Sequence, residues 1–189
     1  RGIQAPDHSS VSIDALSLLK KVPGLYVWHD SFRKRIPIAS YGGKGGGLQI
    51  TSASGKGLIP AEFPITEELL KIAGYLAAEG TITNRVMVIS NTDPEVLADI
   101  TRSLELLRIS WYSLKNAVAF TCRPFRELLV VLGAGGKSDT KRILPFIFSR
   151  TKKEMASYLR AYFEGDGGVE HASISAVTKS KELASDLAY

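Results

Sequence analysis

Apolar positions in the middle of the chain follow a helical and then an alternating pattern. From Thr66 to Gly80 apolar residues recur at helical spacing, Thr66 is a suitable N-cap, and two acids occupy the first turn. Further along, alternation predicts strands and renewed helical spacing predicts helices: a strand over 82–90 (or two short strands within 81–90), a helix over 93–108, strands over 109–114 and 117–122, and a helix over 124–132. We therefore interpret residues 61–150 as one α+β unit.

A second run of the same pattern follows. A helix is predicted over 151–165, a strand over 169–177 and a helix from Ser180. This order repeats the beginning of the first unit, so residues 151–189 are interpreted as the start of a second copy. We expect that copy to be incomplete, because the later strands and helix of the first unit have no counterpart before Tyr189.

The first sixty residues show shorter predicted elements and more glycine than the rest of the chain. A short helix is predicted over 12–21 and an alternating strand over 25–29, followed by the glycine-dense segment 42–47 and the loosely patterned segment 51–60. Glycine at this density favours a flexible turn or linker over an ordered ligand loop. We therefore predict that residues 1–60 form an appendage to the first unit.

The ends of the two predicted motif helices are alike, over Ile72–Gly80 and Leu159–Gly167. Both contain an acid followed by glycine at the helix end, and both carry small residues one helical turn apart. The acids and glycines are Glu79, Gly80, Asp166 and Gly167, and the small residues are Gly74, Ala78, Ala161 and Gly165. Small residues on one stripe allow two helices to pack closely, so the sequence predicts that these two helices pair.

Such pairing would bring Glu79 and Asp166 side by side. Two neighbouring carboxylates repel each other unless a cation lies between them, so the pair predicts a divalent metal site with oxygen ligands. The alternative is that each segment is an ordinary helix end with a glycine cap. An acid at that end opposes the helix dipole, and the alternative needs this penalty twice.

These segments resemble the two motifs of LAGLIDADG homing endonucleases, particularly the branch found within inteins. The resemblance covers about residues 65–189 and extends to the flanks, which are Ile65–Glu68, Gly80–Ile82, Lys141–Pro145, Asp166–Val169 and Thr178–Leu183. It implies a pseudo-twofold α+β fold of αββαββα half-domains with saddle-shaped antiparallel sheets, here with the second half incomplete. Residues 1–60 would then be either a remnant of a splicing domain or a DNA-contacting module.

The resemblance also implies an activity and a site. Such proteins cut both strands of duplex DNA by hydrolysis with metal-activated water, and Mg²⁺ or Mn²⁺ would be held by Glu79 and Asp166 next to Gly80 and Gly167. A lysine commonly supports the site in this family, with Lys141 as the best positional match and Lys137 as the second. Strand residues read the major groove, and the basic residues expected to contact DNA are Arg85, Lys115, Arg123 and Lys179. The expected molecule is a pseudo-dimeric monomer, or a pair of chains if the second half is incomplete.

Composition and charge agree with a nucleic-acid partner inside the cell. The 189 residues include 24 Lys plus Arg against 19 Asp plus Glu, a net charge of +5, which favours a polyanionic partner. The single cysteine, Cys122, cannot form an internal disulfide, so a reducing setting is expected. Neither a membrane-spanning apolar run nor an apolar signal core is present, so we expect an intracellular protein without a membrane partner.

The sequence also bears on three alternative functions. Val131–Ser138 nearly matches a phosphate-binding P-loop, but Val131 stands where the first glycine is required and the next residues open a helix poorly. Protein splicing is not expected, since Arg1 is not a nucleophile and the end of the chain lacks a His-Asn pair. The serious alternative is a relative that binds DNA or RNA without cutting it. The two retained acids argue against that alternative, and the expected incompleteness of the second half argues for it.

Overall fold

The computed structural model describes residues 11–29, 34–170 and 173–188 and confirms the α+β class. The described residues include six α-helices: α1 Ala15–Leu19, α2 Glu67–Glu79, α3 Pro94–Leu106, α4 Arg123–Val131, α5 Lys152–Asp166 and α6 Lys181–Ala188. The strands are β1 Ser12–Asp14, β2 Leu25–His29, β3 Lys34–Pro37, β4 Gln49–Ser52, β5 Leu58–Pro60, β6 Glu62–Pro64, β7 Gly80–Ile82, β8 Met87–Ser90, β9 Trp111–Leu114, β10 Ala117–Phe120, β11 Gly167–Glu170 and β12 Ser173–Ala176. Their pairings are antiparallel.

The first motif unit is a four-stranded sheet in the order β7-β8-β10-β9 with α2, α3 and α4. The two-strand version of the 81–90 prediction is confirmed, because Thr83 makes a turn in which its hydroxyl accepts from the Val86 N–H. Inward side chains alternate along the strands, with Met87 and Ile89 buried against the helices. Helix α2 begins where the sequence predicts, since the Thr66 hydroxyl accepts from the Leu69 N–H.

The second motif unit consists of α5, the β11–β12 hairpin and α6. A capping box begins α5: the Thr151 hydroxyl accepts from the Glu154 N–H, and the Glu154 carboxylate accepts from the Thr151 N–H. The single predicted strand over 169–177 is instead a two-stranded hairpin that starts at Gly167. Helices α2 and α5 make the most extensive contact between elements of the chain, so the two units meet along the motif helices.

The N-terminal region is more ordered than its composition indicates. It holds a four-stranded sheet in the order β3-β2-β4-β5 and a separate β1–β6 pair. The loose texture predicted over 51–60 was wrong in part, since β4 and β5 bury Ile50 and Ile59 despite the glycines between them. The helix predicted over 12–21 is shorter than expected because Asp14 caps it from the end of β1.

This region shares one hydrophobic core with the first motif unit. Leu25 and Ile59 belong to the same buried cluster as Phe125 of α4. Phe63, in the strand that pairs with β1, stacks on Phe125 with ring centroids 5.6 Å apart. Arg123, at the start of α4, donates to the carbonyl oxygens of Pro23 and Gly24. The first sixty residues therefore pack against the first unit through side chains and backbone.

The segment after α4 excludes the P-loop alternative. Gly133, Gly135 and Gly136 have positive φ, and residues 137–144 lead irregularly to a short 3-10 helix at Pro145–Ser149. A P-loop needs an α-helix directly after the glycines, and the structure has none there. Separately, no helix among the described residues is long and apolar enough to cross a membrane.

Candidate metal and nucleic-acid site

The site is built on the close contact between α2 and α5. A Cβ added to Gly74 would lie 2.4 Å from the Tyr158 carbonyl oxygen and 3.0 Å from the Ala161 Cβ. A Cβ added to Gly165 would lie 2.6 Å from the Ala78 Cβ. Only glycine permits these approaches. Each small residue of one motif therefore faces its counterpart in the other, at the offset that relates Glu79 to Asp166.

Both helices end in the same way. Glu79 and Asp166 are the last residues of α2 and α5, and the N–H groups of Gly80 and Gly167 donate to the carbonyls four residues before them. The two glycines have extended backbone rather than the left-handed conformation typical of a glycine cap. Glycine is needed there for space, because an added Cβ would lie 2.5 Å from the Leu76 oxygen or 2.4 Å from the Phe163 oxygen. Each helix thus passes directly into a strand with its acid at the junction.

A cleft of ≈ 670 Å³ opens at these helix ends. Its lining includes both acids, Glu79 and Asp166, and three lysines, Lys137, Lys141 and Lys179. Gly80 also lines the cleft, and Gly167 follows Asp166 directly in sequence. The structure therefore brings together, in one cavity, the predicted acids, both candidate lysines and one of the predicted DNA-contacting residues.

Lys141 is the lysine most closely tied to the acid pair. Its Nζ donates to the Ala78 carbonyl oxygen at 2.7 Å, one residue before Glu79. Burial lowers the pKa of Lys141, while the negative charges of Glu79 and Asp166 act in the opposite direction. A carbonyl in the last turn of a helix lacks an intrahelical donor, so the ammonium group satisfies it and stays beside the acids.

The carboxyl group of Asp166 is also partly withdrawn from water. Burial raises its pKa, and the nearby charge of Lys141 opposes that rise. A cation close to Asp166 favours its ionised form, as does the lysine. The electrostatics of the cleft therefore favour a positive charge next to this acid.

Glu79 and Asp166 are the two carboxylates that line the cleft. The described residues 11–29, 34–170 and 173–188 contain no group of three His, Cys, Asp or Glu side chains that could hold a metal ion. A closed zinc centre needs such a group, whereas Mg²⁺ is commonly bound by one or two carboxylates together with substrate phosphates. Glu79 and Asp166 can supply the protein part of such a site.

The other predicted DNA-contacting residues lie outside the cleft. Arg85 is in the β7–β8 turn and Lys115 is in the β9–β10 turn, at the tips of two hairpins. Arg123 is used to hold the N-terminal region, through the carbonyls of Pro23 and Gly24. These residues are therefore not gathered into one site by the described structure.

Two polar groups that sequence reasoning missed lie next to the cleft. Ser180, the residue before α6, is 1% exposed and donates to the Lys141 carbonyl oxygen. Asp186 accepts from the Ile143 N–H and the Arg142 guanidinium. The N-cap position of Ser180 was readable from the sequence, but its contact with a residue far away in the chain was not.

A third missed feature is a charged network whose residues do not line the cleft. The Tyr75 hydroxyl lies 2.9 Å from a carboxylate oxygen of Asp99 and 2.9 Å from one of Glu164. Lys71 pairs with Asp99 and Arg160 pairs with Glu164. Burial, followed by the two carboxylates, raises the pKa of Tyr75, so the phenol stays protonated as a donor. The network joins α2, α3 and α5 and fixes the helix pair away from the cleft.

The chain is similar to short segments of several much larger curated proteins. It is 28% identical to the DNA-directed RNA polymerase subunit Rpo1C of Methanocaldococcus jannaschii over 138 residues, 69% of this chain and 16% of that protein. It is 43% identical to the replication factor C small subunit of the same organism over 63 residues, 33% of this chain and 3% of that protein. Against the replication factor C small subunit of Thermococcus kodakarensis the identity is 30% over 140 residues, 69% of this chain and 15% of that protein. The chain therefore spans only a small part of each of these relatives.

The second motif unit also has a recognisable family sequence. Residues 153–189 match the model of the LAGLIDADG-like domain. The matched stretch includes nearly all of α5, with Asp166, and continues through the β11–β12 hairpin and α6. One of the two acids of the cleft is thus carried by a segment with the sequence of a LAGLIDADG-like domain.

Proposed function

We propose that this protein is a LAGLIDADG homing endonuclease that makes double-strand breaks in DNA by metal-dependent phosphodiester hydrolysis. The observation that carries the proposal is the placement of Glu79 and Asp166 at the ends of two tightly paired helices, in one cleft with Lys141. The family match over 153–189 supports it independently of that geometry. Two helices that pair only to stabilise the fold do not require two acids and a half-buried lysine in the cleft at their ends.

The acidic and basic residues of the cleft would have different roles. Glu79 and Asp166 would hold Mg²⁺ or Mn²⁺, which supplies Lewis-acid neutralisation of the scissile phosphates and lowers the pKa of water. Lys141, fixed on the Ala78 carbonyl, keeps a positive charge beside both acids. Lys137 and Lys179 line the same cleft and favour entry of the DNA backbone.

The sheet of the first unit would then lie against the DNA. An antiparallel sheet presents alternate side chains on the face away from its helices, and strands can read base edges in the major groove. Arg85 and Lys115, in hairpin turns at opposite ends of the sheet, would contact phosphates at the two ends of that face. The contact of Gly74 with Ala161 and of Gly165 with Ala78 supports an approximate twofold relation between the halves, which suits cleavage of two antiparallel strands.

The comparisons support an origin within an intein. One stretch of this chain matches small portions of proteins with unrelated names, an RNA polymerase subunit and replication factor C small subunits. Insertion of a module into different host proteins would explain why it recurs inside proteins that are otherwise unrelated. We therefore place this chain among the intein-borne homing endonucleases.

The alternative function is a LAGLIDADG-like module that binds DNA or RNA without cutting. The described sheet of the second unit has two strands against four in the first, which gives the second unit the smaller nucleic-acid face. Such a binder would need the basic residues of the cleft but not its acids. Acid substitutions therefore separate the two functions.

The proposal is tested by selecting cleaved products from a randomised duplex DNA library in Mg²⁺, with the full chain and its Glu79→Gln and Asp166→Asn variants. We expect discrete double-strand products from the unchanged chain and a loss of about a thousandfold or more in both variants, the scale of removing a preorganised transition-state charge. The matched controls are Glu105→Gln and Asp93→Asn, on or next to α3 and away from the cleft, which should cleave normally. DNA retention without cleavage in every protein would support the alternative function.

A further inference from the structure

The backbone next to Lys141 is held from one side by α6. Ser180 precedes this helix, where its hydroxyl accepts from the Leu183 N–H at 3.1 Å and donates to the Lys141 carbonyl oxygen at 2.7 Å. Ser180 is 1% exposed and the hydrogen bond itself is partly buried. Its loss would leave a partly buried carbonyl without this donor, which is costly.

A second attachment comes from the far end of the same helix. The Asp186 carboxylate accepts from the Ile143 N–H at 3.1 Å and from Nε and one terminal nitrogen of Arg142 at 3.2 and 2.8 Å. The Asp186 side chain is 8% exposed, whereas that of Arg142 is 61% exposed. The carboxylate is thus held by one backbone N–H and by the guanidinium group of a surface arginine.

Hydrogen bonds hold both the backbone around Lys141 and the end of its side chain. Its carbonyl is bound by Ser180, the N–H two residues later is bound by Asp186, and its Nζ is bound by the Ala78 carbonyl. Ile143 and Leu183 belong to the same buried apolar cluster, so packing reinforces the polar contacts. The position of the lysine therefore depends on the docking of α6.

The first unit has no such attachment at the corresponding positions. Asp93 corresponds to Ser180 at the offset that relates Glu79 to Asp166, and it caps its own helix through the Glu95 N–H. Asp99 corresponds to Asp186, and it binds Lys71 and Tyr75 of α2. The contacts with residues 141–143 are thus special to α6 rather than a general consequence of the repeated helix.

We propose that Ser180 and Asp186 are positioning residues that hold Lys141 beside the acid pair, so that α6 of the second unit sets the geometry of the cleft. This inference rests on the proposed endonuclease function, in which Lys141 acts at the scissile phosphates. It adds two residues that neither touch DNA nor bind metal and that act only through the lysine.

The test is a double-mutant cycle between Ser180→Ala and Lys141→Met, read by single-turnover cleavage of bound DNA in Mg²⁺. We expect Ser180→Ala to slow cleavage by about 10- to 100-fold, the effect of a misplacement of about 1 Å, and to leave DNA affinity in Ca²⁺ unchanged. Added to Lys141→Met, the same change should slow cleavage no further, because its effect passes through the missing lysine. Ser180→Thr, which keeps the hydroxyl, should restore the rate.

Asp186→Asn is tested beside Asp93→Asn as its control, because asparagine can still cap α3 and Asp93 lies outside the cleft. Asp186→Asn should slow cleavage and accelerate amide hydrogen exchange at Ile143, whereas Asp93→Asn should change neither. Independent, multiplicative losses for Ser180→Ala and Lys141→Met would overturn the inference, as would an equal loss of DNA affinity. An unchanged chain that binds DNA and never cuts it would instead contradict the endonuclease function itself, so the two failures are distinguishable.

Discussion

At the scale of single residues, burial and charge have opposite effects on the pKa values of two groups in the cleft. Asp166 and Lys141 are both partly withdrawn from water, and each counteracts the effect of burial on the pKa of the other. Asp186 is different, because its hydrogen bonds with Arg142 dominate and lower its pKa. A carboxylate with a lowered folded-state pKa stabilises the fold above its unfolded pKa, and that stabilisation is lost as the pH falls through the folded value.

Asp186 therefore predicts an acid-sensitive contribution to stability. Below an unfolded pKa of about 3.9 the unchanged chain should lose free energy of unfolding as Asp186 takes up a proton, and Asp186→Asn should lose less over the same range. Urea denaturation at neutral pH and at acid pH measures this difference. Asp139→Asn, in an exposed loop, is the control that should follow the unchanged chain. Parallel pH curves for the unchanged chain and Asp186→Asn would refute the assignment.

At the scale of elements, two glycines allow the close packing of α2 against α5. Gly74 lies against backbone, the Tyr158 carbonyl, whereas Gly165 lies against a side chain, the Ala78 methyl. A backbone obstacle cannot be removed by substitution, but a methyl group can. A second substitution should therefore restore stability to a Gly165 variant but not to a Gly74 variant.

Gly165→Ala should be repaired by Ala78→Gly, whereas Gly74→Ala should not be repaired by truncating a neighbour. Each glycine substitution alone should destabilise the fold by about 1 to 3 kcal/mol, the usual cost of overpacking, in spite of the better helix propensity of alanine. The Gly165→Ala/Ala78→Gly pair should regain most of that loss in thermal unfolding. Gly46→Ala, where an added Cβ meets nothing within 4 Å, is the control. A stable Gly74→Ala variant would show that the helices are not held as closely as described.

At the scale of the whole molecule, the N-terminal region and the first motif unit form one hydrophobic core. Phe63, in the strand that pairs with β1, stacks on Phe125, and Arg123 binds the carbonyls of residues 23 and 24. A shared core of this kind couples the unfolding of both parts. The N-terminal sheet should then stabilise the first unit as well as extend its surface.

The two tryptophans of the chain test this coupling, because Trp28 lies in β2 and Trp111 in β9. In the single-tryptophan variants Trp28→Phe and Trp111→Phe, fluorescence should give unfolding transitions of the same shape. Phe63→Ala should lower both midpoints together, at a cost of about 3 to 5 kcal/mol. An early transition seen only through Trp28 would mean that the region unfolds as an independent appendage.

Local signals made part of this structure predictable from sequence. The Thr66 cap predicted the start of α2, and helical spacing predicted a helix from residue 151, where α5 is found. The paired acids and small residues pointed to a helix contact that the structure contains. The strand at Gln49–Ser52 escaped notice because glycine and serine dominate its surroundings, and its burial depends on distant partners. The attachments of Ser180 and Asp186 to residues 141–143 likewise join parts of the chain whose proximity no local pattern records.

Each motif helix continues directly into its first strand, and this limits which insertions such a protein can accept. Side chains alternate along β7 from Gly80 onwards, so a single inserted residue between Glu79 and Gly80 would turn every following side chain to the opposite face. The acid and the first strand therefore behave as one rigid piece. In the proposed endonuclease, the spacing between the point of cutting and the nearest recognised base pairs would be inherited with the fold, and new target preferences would arise farther along the strands.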